Sequence, residues 1–485
     1  MRAPSTAPIR NDPAPTPVCD LRTKLLYGVG SVAFGVKDGG FATFLLIYYS
    51  QVLGLAAERV GFAIMLALVV DAVVDPAIGW LSDRLHSPWG RRHPFMYAAA
   101  LPVGVAYYFL WSPPAGLSPD ALFAYLLGVA IVVRLFIACF EIPNSSLAPE
   151  LTDHYDERTT LMSFRYFFGW WGALAMAIAA YTIFLQPDAT HPTGVLNPVG
   201  YRHYGLAGVA VMALAIVVSS LGTHRHIPHL KSPPPRRRLG LAGTLRELRE
   251  TLSNRSFRIL FGAGIFNNVG SGLAGALTLY FNTYFWELSS TQMSLLALSN
   301  FLSAALALAV APAFSRRVGK KAAAITTELA VIALAPLAYV LRLLGAFPAN
   351  GSPALVPLLA VFNVVVIALF ITSTILIASM LSDVVEESEL TTGRRSEGVF
   401  FAASAFVQKA ASGAGIFVST LLLRAIAFPA AAHPGAVDPA VIFRLGAVYP
   451  PVLGVLFLVA VALLSAFGIS RAAHEANLRR LGRAS

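Results

Sequence analysis

The stretch Leu66–Pro94, LALVVDAVVDPAIGWLSDRLHSPWGRRHP, places two carboxylates, Asp71 and Asp75, inside an apolar run that ends in a burst of arginines. Placed on a helix that starts near Glu58, Asp71 lies about 20 Å along the axis and Asp75 about 25 Å, at 1.5 Å per residue. Spacing i,i+4 puts both on one helical face. An ionised carboxylate near the middle of a bilayer costs about 2.5–3.5 kcal/mol on insertion scales, and this chain bears that cost twice within one turn. One reading is a cation site: neighbouring carboxylates either ligate a cation or share a proton, because burial and mutual repulsion raise the proton affinity of one of them. The competing reading is that either acid pairs with a basic side chain of a neighbouring helix. Pro76 and Gly79 follow at once and loosen the helix beside the acids.

The rest of the chain is consistent with a membrane setting. Of 485 residues, 56% are hydrophobic and 13% charged, about half the charge usual in a soluble protein. Runs of about 20 apolar residues mark spans, and twelve emerge, near 24–53, 57–81, 94–112, 121–147, 161–185, 205–222, 257–286, 291–314, 322–345, 354–382, 397–425 and 446–469. The formal net charge is +11, and the positives fall in alternate loops. Arg84, Arg91 and Arg92 follow span 2, and Arg236, Arg237 and Arg238 follow span 6. Arg316, Arg317, Lys320 and Lys321 follow span 8, Arg394 and Arg395 follow span 10, and Arg479, Arg480 and Arg483 lie in the tail. This asymmetry predicts that both termini are cytoplasmic. No aromatic-interleaved basic face accompanies the charges, so nucleic acid is not an expected partner. Cys19 and Cys139 have no plausible disulfide partner.

The organisation expected is a disordered tail (1–22), a six-helix bundle (23–222), a cytoplasmic linker carrying a surface helix (223–256), a second six-helix bundle (257–470) and a cytoplasmic tail (471–485). The linker contains the breaker KSPPPRRRLG, residues 231–240. The halves echo each other: the loop after span 2 ends in Gly90-Arg91-Arg92 and the loop after span 8 in Gly319-Lys320-Lys321. Such internal repeats are typical of secondary transporters.

Other charges are buried in the spans. FGVKDGGF (34–41) holds Lys37 and Asp38, and VVRLFIACFEIPNSS (132–146) holds Arg134 and Glu141. Arg165 lies in SFRYFFGWWG (163–172), and Lys409 in AFVQKAASGAG (405–415). Charges inside spans face a bundle interior or a water-filled cavity, which predicts one polar cavity between the halves. Trp170 and Trp171 are read as cavity lining or packing, and Asn267 and Asn268 as cavity lining or interhelical hydrogen bonding. GSGLAGAL (270–277) is read as close helix packing. No metal or catalytic cluster sits in a span, so an enzyme is not expected; the histidines of THRHIPHL (223–230) are read as a solvated loop.

At these residues the chain resembles the glycoside-pentoside-hexuronide:cation symporters of the major facilitator superfamily. The motifs are KLLYGVG…VKDGG, DAVVDPAIGWLSDR…WGRRHP, EIPNSSLAPELTDHYDERT…FRYFFG and RRSEGVFFAASAFVQKAASGAG, and together they span Lys24 to about Ser470. The resemblance implies an all-α fold of twelve transmembrane helices in two six-helix bundles, working by alternating access. It implies that Asp71 and Asp75 bind the coupling cation, with Asp38 shared between the cation and the sugar. Lys37, Glu141, Ser145, Arg165 and Lys409 are the implied substrate contacts. Gly79, Asp83, Arg84, Gly90, Arg91 and Arg92 match the gating loop, in which Asp83 with Arg91 or Arg92 forms a latch. Three positions depart from the family's melibiose-transporting members. Val74 and Ala138 replace neutral oxygen ligands, which favours H⁺ over Na⁺ as coupling ion. Ser145 replaces a tryptophan that stacks on sugar, which argues against a galactoside but not against sugars in general. The expectation is a sugar or glycoside symporter of the bacterial inner membrane, monomeric, lipid-embedded and without a cofactor beyond the coupling ion. The lysolipid symporters of the same fold, with a similar helix-11 lysine segment, are the alternative, and a non-coupled transceptor is the alternative of another class.

Overall fold

The computed structural model describes residues 19–152, 155–230, 253–392 and 397–469, which are helical with no strand among them. Twelve long helical segments follow in chain order: α1 Leu21–Val52, α2 Ala57–Arg84, α3 His93–Leu110, α4 Pro119–Leu151, α5 Tyr155–Ala179, α6 Pro198–His224, α7 Arg255–Phe285, α8 Ser290–Val318, α9 Lys320–Leu343, α10 Leu355–Thr392, α11 Glu397–Ala425 and α12 Pro439–Ser465. Eleven are long and apolar enough to cross a membrane. The shortfall is in α3, only 18 residues long and diluted by His93, Pro94, Pro102 and tyrosines. Most of the linker in which the surface helix is expected (223–256) lies outside the described residues, at 231–252, as do the tails before 19 and after 469.

Hydropathy places the spans well and their polar first turns badly. α6 begins at Pro198, seven residues before the apolar run, because the Asn197 side chain accepts from the Val199 N–H at 3.0 Å and Pro198 fits the first helical turn. α12 begins at Pro439 for the same reason, with Asp438 accepting from Ala440 N–H at 2.9 Å. α10 runs on to Thr392 through a polar last third that carries no hydropathy signal.

α1 is not a regular helix. It has π-turns at Gly40–Phe44 and Tyr48–Val52. Each inserts a residue into the α register, and such bulges gather at functional sites; the first begins two residues after Asp38.

The repeat seen in the sequence is a repeat in packing. A Cβ on Gly35 of α1 would stand 2.0 Å from the Gly169 carbonyl oxygen of α5. A Cβ on Gly272 of α7 would stand 2.2 Å from the Ser412 carbonyl oxygen of α11. Gly172 lies against Val32 as Gly415 lies against Val269. Both halves therefore press their first and fifth helices together at backbone distance, the use of small residues expected where helices pack in lipid.

Candidate substrate and coupling site

Asp71, on α2, is 2% exposed, and its Oδ2 accepts from Arg134 Nη1 of α4 at 2.9 Å and from Lys409 Nζ of α11 at 2.9 Å. Lys409 also pairs with Asp75, one turn further along α2. Two acids and two bases thus form one buried network, and Lys409 carries it from one half of the molecule to the other. Both readings of the aspartates meet here: they share a site, and each is paired to a base of a neighbouring helix. Negative charge at the pair is not left uncompensated. The guanidinium of Arg134 also stands 4.5 Å above the Phe41 ring of α1. Lys409 fits because α2 and α11 touch closely: Gly61 lies against Thr420 and Gly413 against Leu68 and Met65.

Around this centre lie the other charges. Lys37 is 2% exposed and holds Asp38 at 2.7 Å, whereas Asp38 is 56% exposed in the middle of a span. Asp38 stands on the face of α1 that repeats at Phe34, Asp38 and Ala42, about opposite Gly40, which packs on Tyr107 of α3 and Tyr204 of α6. A half-exposed carboxylate at that depth faces water inside the bundle rather than lipid. Arg165 Nη2 donates to Glu141 Oε1 at 3.3 Å, and its guanidinium sits 4.9 Å from the Phe34 ring. Glu141 is within electrostatic reach of Lys409 and Asp75, and Lys37 within reach of Asp71. One connected field of charge therefore joins α1, α2, α4, α5 and α11. Ser145 turns its hydroxyl to the Ile142 carbonyl of its own helix at 2.9 Å.

The gating-loop residues gather at the end that carries the chain termini. Arg92 Nη2 reaches Asp83 Oδ1 at 2.7 Å and Glu150 Oε1 at 2.9 Å, and Arg91 reaches Glu150 at 3.3 Å. These residues belong to α2, the loop before α3, and α4, all in the first half. The second half repeats the device with Lys320 on Asp383 of α10 at 2.6 Å. Arg84 stands apart, stacked over the Trp80 ring at 3.8 Å. Gly79 is in ordinary contact with Ile142, 3.5 Å from where its Cβ would be. Gly90 turns the loop at φ 76°, a conformation that favours glycine.

At the opposite end the halves are sewn together by neutral groups. Ser50 Oγ lies 2.5 Å from Tyr280 Oη, and Gln51 Nε2 donates to Tyr280 Oη at 3.2 Å. Gln51 Oε1 accepts from Ala432 N–H at 2.9 Å and from Tyr284 Oη at 3.3 Å, and Tyr284 also donates to the Ala432 carbonyl at 2.9 Å. Ser290 of α8 donates to the Leu185 carbonyl, just past the π-turn Ala180–Phe184 that follows α5, at 2.7 Å. A cavity of about 270 Å³ beside the seam is lined by Ser50, Gln51, Glu58, Arg424 and Phe428.

Trp171 packs its ring 4.2 Å from Phe301 of α8, across the halves, and Trp170 is half exposed. Asn267 bonds Glu328 of α9, while Asn268 bonds the Gly264 carbonyl of its own helix. Of the histidines, His224 bonds Tyr97 at 2.9 Å and His226 bonds Thr23 at 3.0 Å. Among the described residues no group of three His, Cys, Asp or Glu side chains is placed to hold a metal. Glu328 escaped the sequence reading although its signal is that of Asp71: an acid inside an apolar run, TTELAVIAL (326–334).

Comparison with known proteins converges on the same architecture. The chain is 25% identical over 399 residues to an inner membrane symporter, YicJ, of Escherichia coli (81% of this chain, 80% of that protein). It is 26% identical over 408 residues to the isoprimeverose transporter of Lactiplantibacillus pentosus (82% and 79%). Its backbone superposes on a crystal structure of a D-xylose-proton symporter with a TM-score of 0.64 at 17% identity, covering 92% of this chain and 98% of that one. The family described as MFS/sugar transport protein matches residues 26–471. The chain is a multi-pass membrane protein of the major facilitator fold and belongs to that MFS/sugar transport family, a family of transporters rather than enzymes.

Proposed function

We propose that this protein is a cation-coupled symporter of a sugar or glycoside, driven by H⁺. The observation that carries the proposal is Lys409, which crosses from the second half to occupy both Asp71 and Asp75 of the first. Its ammonium stands where a coupling cation would act. A proton or Na⁺ arriving at the aspartates competes with Lys409 and frees it to turn towards Glu141 and a bound substrate. Releasing Lys409 also removes the charged tie between the two halves, so loading and reorientation are linked. The names of related proteins, among them a transporter of isoprimeverose, support a sugar or glycoside as cargo. Asp38, Glu141 and Arg165 supply donors and acceptors for hydroxyl groups, and their alternation of sign suits a neutral, hydroxyl-rich molecule. Absence of neutral oxygens at Val74 and Ala138 supports H⁺. The test is uptake into proteoliposomes under an imposed pH gradient against an imposed Na⁺ gradient, with pentosides, glycosides, uronates and lysolipids as cargo. Accumulation is expected with the pH gradient alone. Accumulation with Na⁺ alone would keep the site and reverse the ion; a lysolipid response without any sugar response would remove the sugar reading.

We further propose that both termini face the cytoplasm, in keeping with the arginine-rich loops at that end, and that the neutral seam is the outer gate, closed in this conformation. Gln51 bridges Tyr280, Tyr284 and the backbone of Ala432 and Pro429. Removing it breaks several bonds at about 0.5–1.5 kcal/mol each. Gln51→Ala is therefore expected to raise labelling of a cysteine placed at Ala430 by a membrane-impermeant maleimide added from outside, at least several-fold. Unchanged labelling would argue against a seam role for Gln51, and labelling only from inside would invert the topology.

A further inference from the structure

Glu328 lies on α9 inside the second half, 0% exposed. Its Oε1 accepts from Asn267 Nδ2 of α7 at 2.5 Å and from Ser373 Oγ of α10 at 2.6 Å. Its Oε2 is buried and has no hydrogen-bond partner among the described residues. Asp71, Asp75, Asp38 and Glu141 each hold a lysine or arginine; among the described residues Glu328 holds none. The charged groups on the elements around it are remote or engaged. On α9, Lys320 holds Asp383, Lys321 donates to the carbonyls of Ser465 and Phe467 at 2.7 Å each, and Arg342 bonds Pro348 and Asn350. On α7, Arg255 and Arg258 lie about 18 Å and 13 Å along the helix from Asn267. On α10, Asp383, Glu386 and Glu387 lie about 15–21 Å beyond Ser373, and on α12 Arg444 bonds the Ala440 carbonyl.

The fold does not require a carboxyl at this place. With Gly272 matched to Gly35, Gly319-Lys320-Lys321 to Gly90-Arg91-Arg92, and Asp383 to Glu150, the triad Asn267, Glu328 and Ser373 corresponds to Gly30, Ala99 and Phe140 of the first half. In the first half a Cβ on Gly30 would stand 2.6 Å from Phe140 Cζ and 2.6 Å from Ser219 Oγ, and Ala99 and Phe140 are fully buried. One half seals this junction with a phenyl ring. The other has a carboxyl, an amide and a hydroxyl. A buried ionised carboxylate with no cation and one bare oxygen is far costlier than a neutral acid whose carbonyl oxygen accepts two hydrogen bonds.

We infer that Glu328, held by Asn267 and Ser373, is a proton-binding site in the second half, occupied in this conformation and separate from the aspartate pair. Because α7 carries Asn267 at one level and the seam residues Tyr280 and Tyr284 at another, loss of this proton acts on the seam. A bare charge at Glu328 draws water into the α7–α9–α10 junction and loosens α7. The sign follows: the closed seam is favoured while Glu328 is protonated and weakens as pH rises.

Infrared spectroscopy of the purified full-length protein reads the proton directly and needs no transport. At neutral pH the wild type and Asp71→Asn are expected to show the C=O stretch of a protonated carboxylic acid in a dry site. Glu328→Gln should lack it, and Ser373→Ala should shift it to higher frequency by removing one hydrogen bond. Maleimide labelling at the seam, taken relative to the same cysteine in denatured protein at each pH because the thiolate is the reacting form, should rise several-fold with pH in the wild type and stay flat in Glu328→Gln. No difference in the carboxylic band between the wild type and Glu328→Gln would overturn the assignment. So would an unshifted band in Ser373→Ala, which keeps the test open if Glu328→Gln does not fold. Equal pH dependence of labelling in both proteins would remove the link to the seam. Symport failing while the band behaves as stated would leave this site standing and sink only the transport reading.

Discussion

Concentrative uptake is expected to vanish in Asp71→Asn. Asp71 is the most buried acid of the network, and one of its oxygens receives both Arg134 and Lys409. Asparagine keeps the shape and removes the charge, so buried Arg134 and partly buried Lys409 face one remaining aspartate. Breaking a buried pair by neutralising one partner costs about 3–5 kcal/mol, which corresponds to roughly two to four powers of ten in an equilibrium constant at 1.36 kcal/mol each. Asp75→Asn is expected to do less, since Asp75 is more exposed and Lys409 keeps Asp71. The check is proteoliposome uptake under a pH gradient, run beside substrate counterflow at equal pH. Loss of accumulation with counterflow retained in at least one variant places the pair in coupling. Full accumulation by the double asparagine variant would remove both residues from it. Where Asp71→Asn fails to fold, adding Lys409→Met rebalances the charge and is expected to recover folded protein without recovering accumulation.

A comparable effect, on folding rather than coupling, is expected from one methyl group. Gly35→Ala puts a Cβ 2.0 Å from the Gly169 carbonyl oxygen, and Gly272→Ala puts one 2.2 Å from the Ser412 carbonyl oxygen. The obstacle is backbone in each case, so no side chain can swing away and the helix pair must separate. Overpacking of this kind costs about 1–3 kcal/mol or more, and separating the helices loses the contacts that small residues make possible. Both variants are expected to show a lower Tm and a smaller monodisperse peak in size-exclusion chromatography. Gly275→Ala, whose Cβ meets nothing within 4 Å, is the control and is expected to match the wild type. Wild-type stability in Gly35→Ala would mean that α1 and α5 do not approach as described.

What could be read from sequence follows from what each feature costs. Asp71 and Asp75 were legible because a carboxylate amid hydrocarbon demands a reason. Gly90, Arg91 and Arg92 were legible because they repeat at Gly319, Lys320 and Lys321. That Lys409 would serve both aspartates was not, since it depends on how α11 crosses α2 at Gly413 and Gly61. The π-turns of α1 leave no mark in composition. The first turns of α6 and α12 were missed because Asn197 and Asp438 set them by capping, to which a hydropathy window is blind. Glu328 was legible by the rule that found Asp71, as was its partner Asn267; unlike Asp71 it has no second acid within a turn to mark it.

The two ends of the carrier are fastened by different physics. Hydroxyls, a carboxamide and backbone carbonyls close the seam around Gln51, with one long, exposed ion contact nearby, Arg424 to Glu58 at 4.0 Å. Full charges hold the other end, in the Asp83–Arg92–Glu150 cluster and the Lys320–Asp383 pair. Dissolved ions screen charges separated by more than about 8–10 Å at ordinary ionic strength and act much less on close, largely buried pairs such as these. A change in salinity therefore leaves both ends nearly as they are. The charged clusters brace each half internally, Asp83, Arg92 and Glu150 in the first and Lys320 and Asp383 in the second, so the bonds that join the halves at the seam are neutral ones.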